Sequence, residues 1–343
     1  MNAMPPAEKA LLALVQAGLW EDASCLDGLL QAEILTEKQW QAVTANARRQ
    51  AVTGLLQRGV QLMPETHTPP FQTCAYLLVE AERIAQSGEK VRTRADELIA
   101  LLQCNGIPSL LQKGPAVAAC YAVPQARMAG DIDLYLPPDH FEKGREFFLA
   151  HDVQGHDATD GSFCFEWKGV IVELHRQFFS FGKSFERRCA ACLSTDGFHS
   201  PEASLLLQIT HIFKHVAGCG IGLKQLCDLA RTRLALADVC PPERLAGCLR
   251  KTGLVRWNRT LDAFLWTHLG GDRHLPMLHA PARRDIAHAD RLLAYIWHDG
   301  NFGHDLRTAK KTDTLRGFIR HAAFSASQAP AAYGRLLSSY VRF

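Results

Sequence analysis

The chain has 343 residues, of which 47% are hydrophobic and 21% are charged, and its formal net charge is +3. This composition is ordinary for a globular protein, and so small a net charge gives no argument for a nucleic-acid or membrane partner. No apolar run approaches the roughly 18–20 residues needed to cross a bilayer, and acids occur near the N-terminus where a signal peptide would be basic. We therefore expect a cytoplasmic protein without a membrane partner.

The first 94 residues are predicted to form a helical region. Apolar residues recur at intervals of three and four in residues 8–18, 36–59 and 71–106, and each segment ends near a glycine. The last segment continues into the next region. We assign residues 1–94 to this N-terminal region.

The pattern changes in residues 95–200, where short apolar runs are bounded by turn residues. These runs predict four strands, within residues 107–114, 131–138, 162–167 and 170–175. Helical segments, residues 115–122 and 138–152, separate them. The helical pattern returns from 201 to 343, which predicts a C-terminal helical domain. The fold class is therefore α+β, with a small mixed sheet flanked by N-terminal and C-terminal helical regions.

Two aspartates lie one residue apart in the second predicted strand, in the sequence GDIDLYLPP. Side chains alternate along a strand, so Asp131 and Asp133 face one side while Ile132 and Leu134 face the core. Two neighbouring carboxylates repel each other unless a cation lies between them. Mg²⁺ suits such a pair, because it is bound by one or two carboxylates together with substrate phosphates.

The surroundings of the aspartate pair favour this interpretation over a surface strand end. Upstream, the chain runs from a strand through Lys113 and Gly114 into a predicted helix, a geometry in which backbone N–H groups receive phosphate. Downstream, Glu173 lies between Val172 and Leu174 in another apolar strand, so it faces away from their side. The sequence thus predicts three acids and a phosphate-binding turn.

These residues resemble the polymerase-beta-like nucleotidyltransferase superfamily. More narrowly, LLQKGPAVAACYAVPQARMAGDIDLYL and VELHRQF are similar to the signatures of an uncharacterised bacterial nucleotidyltransferase-like family. The resemblance covers roughly residues 95–235 and weakens in the helical part, where HIFKHVAGCGIGLKQLCDLA is similar to a His-rich stretch followed by a helix with an Asp-Leu pair. It implies transfer of a nucleoside monophosphate from an NTP, such as ATP, to a hydroxyl, with release of pyrophosphate.

The resemblance also implies roles for the three acids. Asp131 and Asp133 would bind Mg²⁺, or Mn²⁺, that bridges the nucleotide triphosphate. Glu173 would either hold a second metal ion or accept the proton of the attacking hydroxyl.

The same resemblance implies a set of nucleotide-binding residues. Lys113 and Gly114 would contact phosphate, and Arg127 would face the triphosphate or the leaving pyrophosphate. His175, two residues beyond Glu173 on the same side of the strand, would orient an acid or touch the substrate.

One departure from the superfamily pattern bears on activity. Many active members have Gly-Ser at the phosphate-binding turn, whereas this chain has Gly114-Pro115, which lacks one N–H and one hydroxyl. Two alternatives therefore remain open besides the active enzyme. One is a catalytically weak protein that binds a nucleotide or a partner protein, and the other is a toxin-like tRNA nucleotidyltransferase. The acceptor could be a small molecule, a protein or a tRNA.

Cysteine and histidine residues raise a separate zinc hypothesis. Cys189 and Cys192 have Cys-x-x-Cys spacing, and His211 and His215 have the spacing of two ligands on one helix face. The alternative is an apolar helix face that carries these residues for packing. His211, His215 and Asp228 would also lie beside the catalytic face and could contact a nucleobase or the acceptor.

Positive charge is concentrated at Arg48-Arg49 and in residues 307–316, which include Lys310 and Lys311. Such runs could contact RNA, although solvated helix faces are the commoner explanation.

Overall fold

The computed structural model describes residues 4–32, 34–158, 161–179, 181–218, 220–301 and 311–341. The architecture is α+β, as predicted, with one five-stranded mixed sheet. The strands are β1 Leu110–Leu111, β2 Ile132–Tyr135, β3 Gly155–Asp157, β4 Phe163–Trp167 and β5 Val170–His175.

The sheet has the strand order β1-β2-β5-β4-β3. Strands β2 and β5 are parallel, and the other neighbouring pairs are antiparallel. The register of β2 and β5 pairs the Cα atoms of Asp133 and Glu173 directly. Because paired residues of neighbouring strands point to the same face, this register places the two carboxylates side by side.

Helices precede and follow the strands along the chain. Those before β1 are α1 Pro6–Trp20, α2 Asp27–Leu30, α3 Glu37–Arg49, α4 Thr53–Gln61 and α5 Phe71–Cys104. Within the sheet region lie α6 Pro115–Ala118, α7 Pro138–Ala150 and α8 Lys183–Ala190. The remaining helices are α9 Pro201–Ala217, α10 Leu223–Ala235, α11 Pro242–Thr252, α12 Val255–His268, α13 Gly271–His274, α14 Arg283–Asp299, α15 Lys311–Gln328 and α16 Pro330–Val341. In the described part of the chain, no helix has the length and apolar character of a membrane span.

The buried apolar residues form two clusters. The sheet core joins the strands to α7 and to the second half of α5, and it includes Leu98, Leu134, Phe148, Val172 and Leu174. The helical core joins α1, α3 and α4 to the helices from α9 onward, and it includes Leu14, Trp40, Leu206, Phe213 and Trp257. The N-terminal and C-terminal helical regions therefore share one core.

Helix α5 crosses the predicted boundary between residues 94 and 95. Its buried residues Val91, Ala95, Leu98 and Leu102 recur at intervals of three and four and belong to the sheet core. The domain limits at 94/95 and 200/201 remain predictions.

The single helix predicted over residues 36–59 is wrong, because the chain turns between α3 and α4, where Ala51 has φ +56°. Tertiary contacts of the buried Gln50 explain the break. Its Nε2 donates to the carbonyl oxygen of Ile296 at 2.8 Å, and its Oε1 accepts from the backbone N–H of Leu223 at 3.2 Å. These bonds to α14 and α10 outweigh the local helix propensity.

Two other predictions in the sheet region need correction. The helix predicted over residues 115–122 is the single turn α6, because the chain must leave the helix to bring Tyr121 to α10 and Pro124 disfavours helical backbone before it. Strand β3 was not predicted, since its three residues are all exposed and carry no apolar pattern.

Candidate functional site

Asp133, Glu173 and His175 form a compact group at one face of the sheet. Each offers one ligand atom, and these atoms all lie within 4.8 Å of one another. The register of β2 and β5 brings the two acids together, and His175 follows Glu173 by two residues on the same side of β5. Asp131 precedes β2, lies outside this group and lines the same cavity.

Asp133 is the buried centre of the group, with 3% of its surface exposed. Its Oδ1 lies 3.0 Å from Nζ of Lys113 and 2.8 Å from Nε2 of His175. Burial disfavours the charged carboxylate, but the ammonium of Lys113 and the hydrogen bond from His175 outweigh burial and hold the pKa of Asp133 well below its ordinary value. Asp133 is therefore ionised at neutral pH.

The other two acids behave in the opposite way. Burial and the charge of Asp133 raise the pKa of Asp131, although Asp131 keeps an exposed surface. Burial and repulsion from both aspartates raise the pKa of Glu173. Three acids that disfavour one another's charge form a site that a cation would stabilise, and Glu173 is suited to accept a proton.

Gly114 brings the turn after β1 close to the acids. Its φ of +65° and ψ of −116° belong to a region that side chains avoid, and an added Cβ would lie 3.3 Å from the carbonyl oxygen of Asp131. Pro115 occupies the first position of α6. The turn therefore requires glycine.

The group opens into a cavity of about 410 Å³ between the sheet and the helices α9 and α10. All seven predicted site residues line it, namely Lys113, Gly114, Arg127, Asp131, Asp133, Glu173 and His175. The opposite wall carries polar and cationic residues of the two helices, including His211, Lys214, His215, Lys224 and Gln225. The acids of the sheet side thus share the cavity with lysines of both walls.

Lys224 contributes one of these cations from the first turn of α10. A Cβ added to Gly130 would lie 3.8 Å from Nζ of Lys224, so the ammonium lies beside the segment that leads into Asp131. Burial, together with the positive charge of Arg127, lowers the pKa of Lys224 to about 8. Sequence reasoning did not single out Lys224; its position four residues before Asp228, on the same face of a helix, was the available signal.

His211 links the helical wall to the sheet. Its Nδ1 lies 3.3 Å from Nζ of Lys113, and burial, followed by the charge of Lys113, lowers the pKa of His211 well below its ordinary value. A neutral imidazole can accept a hydrogen bond from the ammonium at this nitrogen.

Arg127 is engaged by Asp228 in the structure. Its Nε and Nη2 donate to the two carboxylate oxygens at 2.7 and 2.9 Å, and the hydroxyl of Tyr121 donates to Oδ1 at 2.6 Å. Both charged side chains are buried. The predicted contact between Arg127 and a triphosphate remains a prediction. Lys224 also lines the cavity.

The zinc hypothesis gains no geometric support among the described residues. The groups of three or more ligand atoms that converge there do not include Cys189, Cys192, His211 or His215. The thiol of Cys192 donates to the carbonyl of Cys189 at 3.0 Å, whereas His211 contacts Lys113 in the cavity.

Of the basic residues that could contact RNA, Arg49 donates to the carbonyl of His298. The run 307–316, with Lys310 and Lys311, lies outside the residues whose side chains the structure describes.

The acids fit a divalent cation. Carboxylate oxygens are the ligands that Mg²⁺ prefers, and burial together with repulsion from neighbouring acids raises the pKa values of Asp131 and Glu173, a destabilisation that a bound cation would relieve. Mn²⁺ also accepts the imidazole nitrogen that His175 places in the group.

Comparison with known proteins agrees with this geometry. A protein-family model described as uncharacterised nucleotidyltransferase matches residues 36–239, which are more than half of the chain and include the sheet, the cavity and α10. No curated protein and no solved structure matches the chain. The chain belongs to this family of uncharacterised nucleotidyltransferases.

Proposed function

We propose that the protein transfers a nucleoside monophosphate from an NTP to a hydroxyl acceptor in a Mg²⁺-dependent reaction that releases pyrophosphate. The observation that carries the proposal is the pairing of Asp133 with Glu173 across two parallel strands, in a cavity whose other wall carries Lys214 and Lys224. We also propose a relation to the polymerase-beta-like superfamily and a bacterial origin, which the motifs quoted above support.

The three acids share one role in this reaction, and Glu173 has a second. Asp131, Asp133 and Glu173 would hold Mg²⁺, which when bound neutralises triphosphate oxygens and favours ionisation of the acceptor hydroxyl. Glu173 accepts the hydroxyl proton, a role that its raised pKa supports. His175 and Lys113 keep Asp133 in place and charged.

The cationic side of the cavity acts on the leaving group. The acceptor oxygen forms a bond to the α-phosphorus while the bond from that phosphorus to the bridging oxygen breaks, and the negative charge passes to pyrophosphate. Lys113 and Lys224 stabilise this charge. Gly114 lets the backbone approach the phosphates.

A thermal-shift panel of the four NTPs, with and without Mg²⁺, tests the binding step. An NTP at a hundred times its dissociation constant should stabilise the protein by about 2.7 kcal/mol. The shift should require Mg²⁺ and should be absent in Asp133→Asn, measured against the ligand-free Tm of that variant. Glu166→Gln, which removes a carboxylate on β4 outside the cavity, should keep the full shift.

Transfer is tested separately with an NTP that is labelled at the α-phosphate. We expect the label to appear in one acceptor class when small molecules, protein and tRNA fractions are supplied in turn, together with pyrophosphate. Binding without transfer to any class would favour the catalytically weak alternative, which Gly114-Pro115 and the engaged Oδ1 of Asp133 support. Transfer to tRNA would identify the toxin-like activity. No shift with any NTP would contradict the proposal.

Lys224→Met should weaken binding of the Mg²⁺–NTP complex by about ten-fold or more, because a hydrogen bond to a charged group contributes about 1.5–3 kcal/mol. Since the pKa of Lys224 is lowered to about 8, the ammonium is lost as the pH rises through that value. NTP affinity of the unmodified protein should therefore fall between pH 7 and 9, as measured by titration calorimetry.

The variant itself supplies the control for this pH dependence. Lys224→Met should show little change in affinity across the same range, and Lys38→Met, which removes an exposed cation on α3, should behave like the unmodified protein. Equal affinities of Lys224→Met and the unmodified protein at pH 7 would exclude Lys224 from triphosphate binding.

A further inference from the structure

A second group of possible metal-ligand atoms is formed by residues that lie outside the range matched by the family model. Asp22 and Cys25 precede the matched residues 36–239, and His274 follows them. The structure brings these three side chains together, with one ligand atom of each within 4.8 Å of the others. They join the turn after α1 to the helix α13.

Two distances in this group are close to the edges of a metal-ion tetrahedron. Nε2 of His274 lies 3.8 Å from Sγ of Cys25 and 3.4 Å from Oδ2 of Asp22. The second distance is longer than the roughly 2.7–3.2 Å of a normal hydrogen bond. With Zn–S of about 2.3 Å and Zn–N and Zn–O of about 2.1 Å, a tetrahedral ion separates sulfur from nitrogen by about 3.6 Å and nitrogen from oxygen by about 3.4 Å.

The arrangement does not suit a catalytic cysteine. In a nucleophile–histidine–acid triad the two partners bond to different ring nitrogens of the histidine. Here Cys25 and Asp22 both face Nε2 of His274. Three donors that converge on one point are instead the geometry of a metal site.

The histidine is held in place by its neighbours. The ring of Trp20 stacks on the ring of His274, with centroids 4.7 Å apart and an interplanar angle of 11°. Nε1 of Trp20 donates to the carbonyl of Leu269 at 2.6 Å, and Gly270, with φ +69°, allows the chain to pass Trp20 closely. Such support around a histidine ligand fixes its orientation before a metal ion binds.

Asp22 is fixed as well. It caps the short helical turn Ala23–Leu26 by accepting from the backbone N–H of Ser24 through Oδ1 at 2.9 Å, and Oδ2 accepts from the Ser24 hydroxyl at 2.9 Å. Arg273 is a nearby cation, and its Nη1 donates to the Ser24 hydroxyl at 3.3 Å.

We propose that Asp22, Cys25 and His274 bind one Zn²⁺ ion. The Cys25 thiol loses its proton to solvent when the ion binds, so a thiolate and a carboxylate balance the two positive charges, and water completes the tetrahedron. The ion ties the end of α1 to α13 and thereby links the N-terminal and C-terminal helices. This proposal is independent of nucleotidyl transfer.

The test uses the full-length protein after removal of metal with a chelator. Reloaded with Zn²⁺ and dialysed, the protein should retain one ion per chain by mass spectrometry of the metal. Reloaded with Co²⁺, it should show the near-ultraviolet absorption of a thiolate–cobalt bond. Cys25→Ser and His274→Gln should lose both signals, whereas Cys240→Ser, at a buried cysteine elsewhere, and Asp133→Asn should keep them.

Circular dichroism establishes that each variant is folded, and Asp22→Asn provides a test that preserves side-chain volume. It should weaken Zn²⁺ binding at least ten-fold in competition with a coloured chelator. An unmodified protein that retains no Zn²⁺, or a Cys25→Ser variant that keeps the cobalt–thiolate absorption, would overturn the proposal.

Discussion

Replacing Glu173 with glutamine should make the protein more stable and at the same time inactive in nucleotidyl transfer. Burial and repulsion from Asp131 and Asp133 raise the pKa of Glu173, so the folded protein is destabilised by its charge. Glutamine removes that charge at nearly the same volume. It also removes the proposed proton acceptor, which typically contributes about 10²–10⁴-fold to a rate.

The stability gain of Glu173→Gln should depend on pH. Because the pKa of Glu173 is raised in the folded state, the unmodified protein loses folding stability as the pH rises from the ordinary glutamate pKa through the raised one. The difference in Tm between the two proteins, measured in chelator, should therefore be present at neutral pH and vanish in acid. Glu166→Gln should show neither effect, and a Glu173→Gln variant that is less stable or retains more than about a tenth of the turnover would contradict this assignment.

Asp133→Asn provides the contrast within the same group. The pKa of Asp133 is lowered by Lys113 and His175 despite its burial, so its charge stabilises the fold. Asparagine should therefore reduce both turnover and Tm. Two acids whose Cα atoms are paired thus give opposite stability effects, which a general structural disturbance of the site would not produce.

Asp228→Asn is expected to have the largest effect on folding. It leaves the buried guanidinium of Arg127 without a counter-ion and weakens the acceptor for the hydroxyl of Tyr121. Removing one partner of a buried ion pair costs about 3–5 kcal/mol. The pair joins the segment between β1 and β2 to α10, so its loss should lower the free energy of unfolding of the protein. Urea denaturation measures this free energy.

The double variant Arg127→Met/Asp228→Leu distinguishes an unpaired charge from simple loss of packing. It should recover much of the stability that Asp228→Asn loses, because no buried charge is left alone. If Asp228→Asn lowers the free energy of unfolding by less than about 1 kcal/mol, water solvates the charge of Arg127 in place of Asp228.

Local sequence pattern was sufficient to predict much of the sheet. Alternation and turn residues located four of the five strands, and β-strand geometry was enough to expect Asp133 and Glu173 each to face away from the apolar neighbours in its own strand. The strand register, which makes these two residues direct partners, depends on contacts 40 residues apart. A local pattern contains no information about such a pairing.

The parts of the site that were not predicted all depend on distant contacts. Arg127 is separated from Asp228 by 101 residues, and Lys113 from His211 by 98. The break between α3 and α4 has the same origin, since Gln50 bonds to α10 and α14. Each case is a tertiary contact that overrides or redirects what the neighbouring residues favour.

The two walls of the cavity belong to elements that pack in different hydrophobic cores. The acids belong to strands packed in the sheet core, whereas Lys224 and Asp228 belong to a helix of the helical core. A fragment of residues 95–200 would carry the acids and Lys113 without Lys224, and it would leave Arg127 without Asp228. The smallest fragment that carries both walls of the cavity therefore extends through α10, beyond residues 95–200.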